Sequence, residues 1–243
     1  MPLSLSYPHQ QETGVPLIRT AQAIWAVAAQ FRAAVPRAEN PWALVFAHLT
    51  EAASRMLIND RPVRADWDFD HAVHDEDGKP VLGICETDPA APGLALVSVN
   101  APMVTNRPDL ALSTLAHEVG HMVFDVPAAL GQQARRYRSV TVSPTCLDRA
   151  TQLSERRANE FMGAVLVPAA PLHLRLVVHA RAERLRMVHA PHFGRPGSRV
   201  LPRGTHPEAL AGVIAALAGD FGVSERFIAV RLQRYRLVEG GSL

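Results

Sequence analysis

The chain has 243 residues, of which 48% are hydrophobic, and a formal net charge of +2, so it can bury a core and carries no large charge excess. Its two cysteines, Cys85 and Cys146, are too few for a disulfide framework and fit a reducing compartment. No basic residue precedes Arg19 and no apolar run has the length of a membrane span, so we expect a cytoplasmic protein without a secretory signal or a membrane partner.

The first hundred residues predict two helices followed by three strands. In chain order, we expect helices at residues 17–35 and 41–57 and strands at residues 63–75, 80–86 and 94–100. The expected core anchors of the helices are aromatic: Trp25, Phe31, Trp42 and Phe46. The turn pair Asp77-Gly78 lies between the first two strands and predicts that they form a β-hairpin.

The most informative motif is His117-Glu118-Val119-Gly120-His121, which lies in a helix predicted to start at Pro108-Asp109 and to stop near Pro127. Two histidines four residues apart point to the same side of a helix and can bind one metal ion. Zinc catalysis also requires a carboxylate beside the reacting water, and Glu118 has that position. The alternative is that the two histidines only pack or face solvent.

A catalytic zinc usually has a third protein ligand. Asp125 is the nearest candidate, but it lies about 12 Å along the helix from His117, and we reject it. Glu155 and Glu160 in the next helix lie about 140° apart around the helix axis, so only one of them can face the metal. We expect Glu160 to point outward beside Arg156, and Glu155 to point inward with its neighbours on one face, Ala158, Asn159, Met162 and Leu166.

Two alternatives stay open at this second helix. Glu155 could instead be a buried glutamate paired with an arginine. Asn159, one turn further along, could hold Glu155 or a ligand histidine, or it could be an amide on the helix surface.

The C-terminal part predicts a helix over residues 171–188, a loop over residues 190–198, and a helix-turn-helix pattern over residues 207–238. Its turn is Gly222-Val223-Ser224, with Ser224 as the helix N-cap. Such a pair of helices could bind DNA, or it could be a packing element. The arginines that would then lie near DNA are Arg226, Arg231 and Arg234.

These motifs together resemble the ImmA/IrrE metallopeptidases, which bacteria use to cleave repressor proteins. The resemblance rests on the HEVGH helix, on Glu-x-x-Ala-Asn-x-Phe from Glu155, and on the Leu-Val-Pro that follows. It extends from about Leu94 to the C-terminal Phe-Gly-Val-Ser-Glu-Arg-Phe-Ile-Ala-Val-Arg-Leu. It implies that the metal ligands are His117, His121 and Glu155, and that Glu118 is the base.

The sequence departs from the family pattern at two positions. Met162 replaces the usual alanine after the phenylalanine, which affects packing only. Asp125 stands where a histidine is common, and this change could alter a contact behind the metal ligands.

We therefore expect an α+β, mainly helical, zincin-like fold, with a small antiparallel sheet packed on the HExxH helix and a helix-turn-helix-like pair at the C-terminus. An edge strand of that sheet could bind a substrate backbone. The expected regions are an N-terminal helical region (1–60), a zinc metallopeptidase core (61–190), and a loop with the C-terminal helices (191–243).

The expected function is a Zn²⁺-dependent endopeptidase that cleaves a protein, by resemblance a helix-turn-helix repressor. One alternative is a DNA-binding transcriptional regulator with a structural or degenerate zinc site. Another is a module that binds a protein partner without cutting it. The complete set of base and ligands favours catalysis.

Overall fold

The structure, a computed structural model, describes residues 2–36, 38–131, 138–140, 148–192 and 195–239. It confirms the α+β class and divides into two compact units. The first unit comprises Met1–Arg37 and Val45–Val165, and the second comprises Ala38–Leu44 and Leu166–Leu243. Within the described residues, no single helix is long and apolar enough to cross a membrane. Two consecutive helices, Arg149–Leu166 and Ala169–Ala182, have the length and composition of a membrane span only when they are taken together as a bent pair.

The first unit contains a six-stranded mixed sheet. Its strands are β1 (Leu3–Leu5), β2 (Arg55–Ile58), β3 (Arg61–Asp68), β4 (Gly83–Thr87), β5 (Leu94–Val99) and β6 (Arg138–Val140). Their spatial order is β1-β2-β3-β5-β4-β6. The pairs β1–β2 and β3–β5 are parallel, and the remaining pairs are antiparallel. The sheet is therefore mixed and not antiparallel as predicted.

The predicted hairpin around Asp77-Gly78 forms only next to the turn, where an antiparallel bridge joins His74 to Pro80 and the Val81 N–H donates to the Val73 carbonyl oxygen. Strands β3 and β4 themselves do not pair, because β5 lies between them. The turn itself forms: the Asp75 carboxylate accepts hydrogen bonds from the backbone N–H groups of Asp77 and Lys79, and Gly78 has a φ of +75°. It joins two segments that go on to different positions in the sheet. The tight hairpin is β2–β3, whose connecting residues Asn59 and Asp60 have φ values of +50° and +64°.

Six helices accompany this sheet. They are α1 (Ala21–Ala34), α2 (Phe46–Ala53), α3 (Ala101–Val104), α4 (Pro108–Phe124), α5 (Val126–Gly131) and α6 (Arg149–Leu166), the last of which ends at the boundary of the unit. The predicted helix over residues 41–57 is shorter than expected, because β2 begins at Arg55. Of the four expected aromatic anchors, Phe31 is fully buried, while Trp25, Trp42 and Phe46 are partly exposed.

The second unit contains α7 (Ala169–Ala182), β7 (Val188–His192), β8 (Arg195–Val200), α8 (Pro207–Phe221) and α9 (Glu225–Arg234). Strands β7 and β8 pair antiparallel where the sequence predicted a loop, and α7 ends before the predicted residue 188. The turn between α8 and α9 forms as expected: Gly222 is left-handed, and the Ser224 hydroxyl accepts a hydrogen bond from the Phe227 N–H. That these two helices bind DNA stays a prediction.

Candidate metal centre

Helix α4 crosses the interior of the first unit and carries both motif histidines. Pro108 is at its first turn together with Asp109, a placement that favours a helix start. From Leu112 to Phe124, every residue except Ser113 is buried. Because burying polar groups without partners is costly, the polar side chains of this enclosed helix require other polar groups to contact them in the interior.

The structure brings His117, His121 and Glu155 together. The two Nε2 atoms lie 3.1 Å apart. The Glu155 Oε2 atom is 3.4 Å from Nε2 of His117, and its Oε1 atom is 3.2 Å from Nε2 of His121. One potential ligand atom from each residue thus falls within 4.8 Å of the others, and the group can hold a metal ion. Two imidazoles and one carboxylate form a donor set that fits zinc and leaves a fourth position for water.

A close approach of two helices brings Glu155 to this position. A Cβ atom added to Gly120 of α4 would lie 2.8 Å from Cα and 3.1 Å from the carbonyl oxygen of Ala158 on α6. Glycine on one helix and alanine on the other therefore let the backbones meet at one point. Gly120 lies between the two histidines, and Ala158 is one turn after Glu155, so this contact sets how far the third donor stands from the first two.

A second carboxylate lies on the other side of His121. The Oδ2 atom of Asp125 is 2.9 Å from Nδ1 of His121 and accepts a hydrogen bond of 2.6 Å from the Ser154 hydroxyl. The Arg157 guanidinium donates to Oδ1 of Asp125 at 2.8 Å. Asp125 is thus not among the three converging residues, in line with its rejection as a ligand, but it contacts one of them directly.

The charges of this cluster are strongly coupled. Burial would raise the pKa of the Glu155 carboxyl, but hydrogen bonds from His117 and His121 hold that pKa well below its usual range. Burial would lower the pKa of His121, yet the carboxylates of Asp125 and Glu155 outweigh it and raise that pKa to about 10. The cluster thus favours a positive charge at the place where a metal ion would be bound.

Glu118 is fully buried against the start of β4. A Cβ atom added to Gly83 would lie 2.6 Å from Oε1 of Glu118 and 2.8 Å from Cγ2 of Thr114. Glycine at this position therefore leaves the space that the Glu118 side chain fills. Burial raises the pKa of the neighbouring Cys85 thiol, and the charge of Glu118 raises it further, so this thiol stays protonated at neutral pH.

The structure contradicts the expected outward position of Glu160. Its side chain is buried, and the Trp25 indole N–H donates to its Oε2 atom at 2.8 Å. Helix α6 buries a second face against α1, which the assignment of a single apolar stripe did not foresee. The sequence signal was Trp25 itself, since a tryptophan in a helix interface usually needs an acceptor for its N–H. Asn159 is exposed and donates to the Glu155 backbone oxygen, so it is a surface amide.

One of the three arginines expected near DNA is not accessible. Arg231 is only 4% exposed, and its guanidinium lies 4.3 Å above the Tyr235 ring. Arg226 and Arg234 are exposed. Of the three arginines, Arg226 and Arg234 are therefore the ones accessible to a nucleic acid.

No protein-family model, curated protein or solved structure matches this chain. The functional argument therefore depends on the residues themselves and on the geometry of the centre.

Proposed function

We propose that this protein is a zinc-dependent endopeptidase. The observation that carries the proposal is the convergence of His117, His121 and Glu155, with the buried Glu118 next to the first histidine in the same helix. A structural zinc site usually has four protein ligands, whereas a catalytic site has three and keeps one position for water. Among the described residues, three protein donors form this group, and a carboxylate suited to proton transfer accompanies them.

Each residue then has a defined task. A zinc ion at this position would polarise a carbonyl group and lower the pKa of a water molecule to about 7. His117 and His121 present their Nε2 lone pairs, and Glu155 supplies the negative charge. Glu118 accepts a proton from the attacking water and passes it to the leaving amine, as a general base and then as an acid.

The proposed substrate is a protein chain, by resemblance a helix-turn-helix repressor. An extended segment could pair with a sheet edge near the centre. Strand β4, which packs against Glu118, is itself flanked by β5 and β6, so the edge on this side of the described sheet belongs to β6. The proposed strand addition on this side of the sheet is therefore along β6.

Metal content tests the first part of the proposal. We expect about one zinc per chain in the wild type and loss of that zinc in His121→Ala and Glu155→Ala, measured by elemental analysis after dialysis. Asn159→Ala is a matched control, because Asn159 lies exposed on the same helix and its side chain donates to the backbone oxygen of Glu155, not to its carboxylate. A wild type that binds no zinc, or a Glu155→Ala variant that keeps it, would contradict the proposed site.

Proteolysis tests the second part. Glu118→Gln should keep the zinc and lose hydrolysis of a protein substrate, because an amide cannot accept the proton. Retained hydrolysis in that variant would rule out the role of Glu118. Binding of the same protein by wild type and variant without any cleavage would favour the non-cutting module. A salt-dependent gel shift that the double change Arg226→Ala and Arg234→Ala abolishes would favour the DNA-binding alternative.

A further inference from the structure

Asp125 connects the two helices that form the metal centre. It follows the last residue of α4, four residues after His121, and accepts hydrogen bonds from groups on both α4 and α6. Its side chain is 8% exposed, and those of Arg157 and His121 are 15% and 0% exposed. Contacts between charged groups this far from solvent are stronger than those of surface ion pairs, and they are costly to leave unsatisfied.

The first contact fixes the ring of His121. An imidazole that binds a metal through Nε2 must carry its proton on Nδ1, and a partner for that proton determines both the tautomer and the ring orientation. Asp125 Oδ2 lies 2.9 Å from Nδ1, while Nε2 of the same ring faces Glu155 and His117. The ring is thereby held in the orientation that a metal ligand requires.

The other two contacts fix the helix that carries Glu155. Ser154 and Arg157 are three residues apart and so lie on one face of α6, one turn from each other. Both donate to Asp125, at 2.6 Å and 2.8 Å. Glu155 lies between them in the sequence. Its position relative to His121 therefore depends on the same carboxylate that orients the His121 ring.

We infer that Asp125 is a positioning residue for the metal ion. It holds the His121 ring directly, and it holds the turn of α6 that carries Glu155 through Ser154 and Arg157. The inference builds on the metal site proposed above. Asp125 is not a metal ligand in this inference, because it contacts Nδ1 of His121, whereas Nε2 faces the other ligands. The expected effect of its loss is a large decrease in metal affinity, since partners behind metal ligands typically contribute 10- to 100-fold.

The chain offers a matched control in its second unit. Asp220 accepts hydrogen bonds from Arg175 at 2.7 Å and 3.0 Å and lies 2.6 Å from Nε2 of His179. It thus combines an aspartate, an arginine and a histidine as Asp125 does, outside the unit that contains the ligands. Asp220→Asn therefore removes similar contacts without touching the metal centre.

The experiment compares Asp125→Asn, Asp220→Asn and the wild type. Zinc affinity is measured by competition with a chromophoric chelator, and the coordination environment by the visible absorption of the Co²⁺-loaded proteins. We expect Asp125→Asn to bind zinc about 10- to 100-fold more weakly and to shift the Co²⁺ bands. We expect Asp220→Asn to match the wild type in both measurements.

The possible results separate this inference from the proposed function. If the wild type binds zinc and Asp125→Asn binds it equally well with the same Co²⁺ spectrum, the inference is wrong and the metal site stands. If the wild type binds neither metal, both fail. If Asp125→Asn does not fold, Ser154→Ala replaces it, because this change removes one donor and keeps the Asp125–Arg157 pair; an unchanged zinc affinity in Ser154→Ala would then overturn the inference.

Discussion

Gly120→Ala tests whether the contact between α4 and α6 sets the geometry of the metal centre. The added Cβ would lie 2.8 Å from Cα of Ala158, whereas ordinary van der Waals contact begins near 3.4 Å, so the helices must separate locally by about 0.6 Å. Metal–ligand distances tolerate about 0.2 Å. The displacement of the Glu155-bearing helix is thus about three times what a metal ion accepts, and we expect zinc affinity to fall at least about 10-fold.

The expected net loss of stability is about 0–2 kcal/mol, because two effects partly cancel. Overpacking costs about 1–3 kcal/mol, but alanine favours a helix over glycine by about 1 kcal/mol. Gly219→Ala on α8 is the control, because its added Cβ would meet no other described atom within 4 Å apart from the adjacent residues and the backbone of its own helix. The free energy of unfolding of the metal-free proteins is measured in urea, and zinc affinity by chelator competition. A Gly120→Ala protein that is stabilised like Gly219→Ala and binds zinc like the wild type would refute the reasoning.

Three further predictions concern Gly83 and His121 in the first unit and Arg231 in the second. Gly83→Ala should displace the Glu118 carboxylate, so that zinc content is kept and hydrolysis falls; unchanged hydrolysis would contradict the packing argument. The pKa of His121 is about 10 in the folded metal-free protein and about 6.5 in the unfolded chain, so protonation of His121 stabilises the folded state. This contribution to the free energy of unfolding is complete below pH 6.5 and is lost as the pH rises towards 10. Urea unfolding of the metal-free protein at pH 7 and pH 9.5 should show this loss, and zinc binding at pH 8 should release about one proton, measured by calorimetry in two buffers. Arg231→Ala should destabilise the protein by about 1–3 kcal/mol, whereas Arg226→Ala should change stability by less than about 0.5 kcal/mol in the same urea assay, because only Arg231 is buried.

The candidate ligands could be found from the sequence because the two residues compared in each case lie on the same helix, so their spacing alone determines whether they share a face. The spacing of His117 and His121 determines their common face as soon as α4 is helical, and the same applies to Glu155 relative to Glu160. The bounds of α4 and the turn before α9 were predicted for the same reason, since caps and turns are local. The structure shows that these residues meet, while the metal and its chemistry stay a proposal.

The sheet could not be predicted in this way, because strand pairing joins residues that are distant in sequence. The Asp77-Gly78 turn forms, but it does not decide which strands become neighbours. β5 pairs with both β3 and β4, and both β4 and β5 contact α4, so these pairings and contacts lie outside the turn. The left-handed pair Asn59-Asp60 was the better hairpin signal, since both connecting residues adopt a positive φ.

The incorrect placement of Glu160 and the unidentified partners of Asp125 have one physical origin. Glu160 lies on a helix that buries more than one face, and Asp125 directly follows another such helix, so a polar residue off the main apolar stripe does not have to face solvent. Glu160 meets the Trp25 indole, and Asp125 meets the His121 ring and Arg157. The spacing of His121 and Asp125 was a usable signal, because residues four apart on a helix are neighbours. The distance from His117 excludes Asp125 as a ligand, and the departure from the family pattern indicates only that a contact behind the ligands could change. Its closeness to His121 instead makes it a candidate for holding a ligand in place, and the comparison of Asp125→Asn with Asp220→Asn tests that difference.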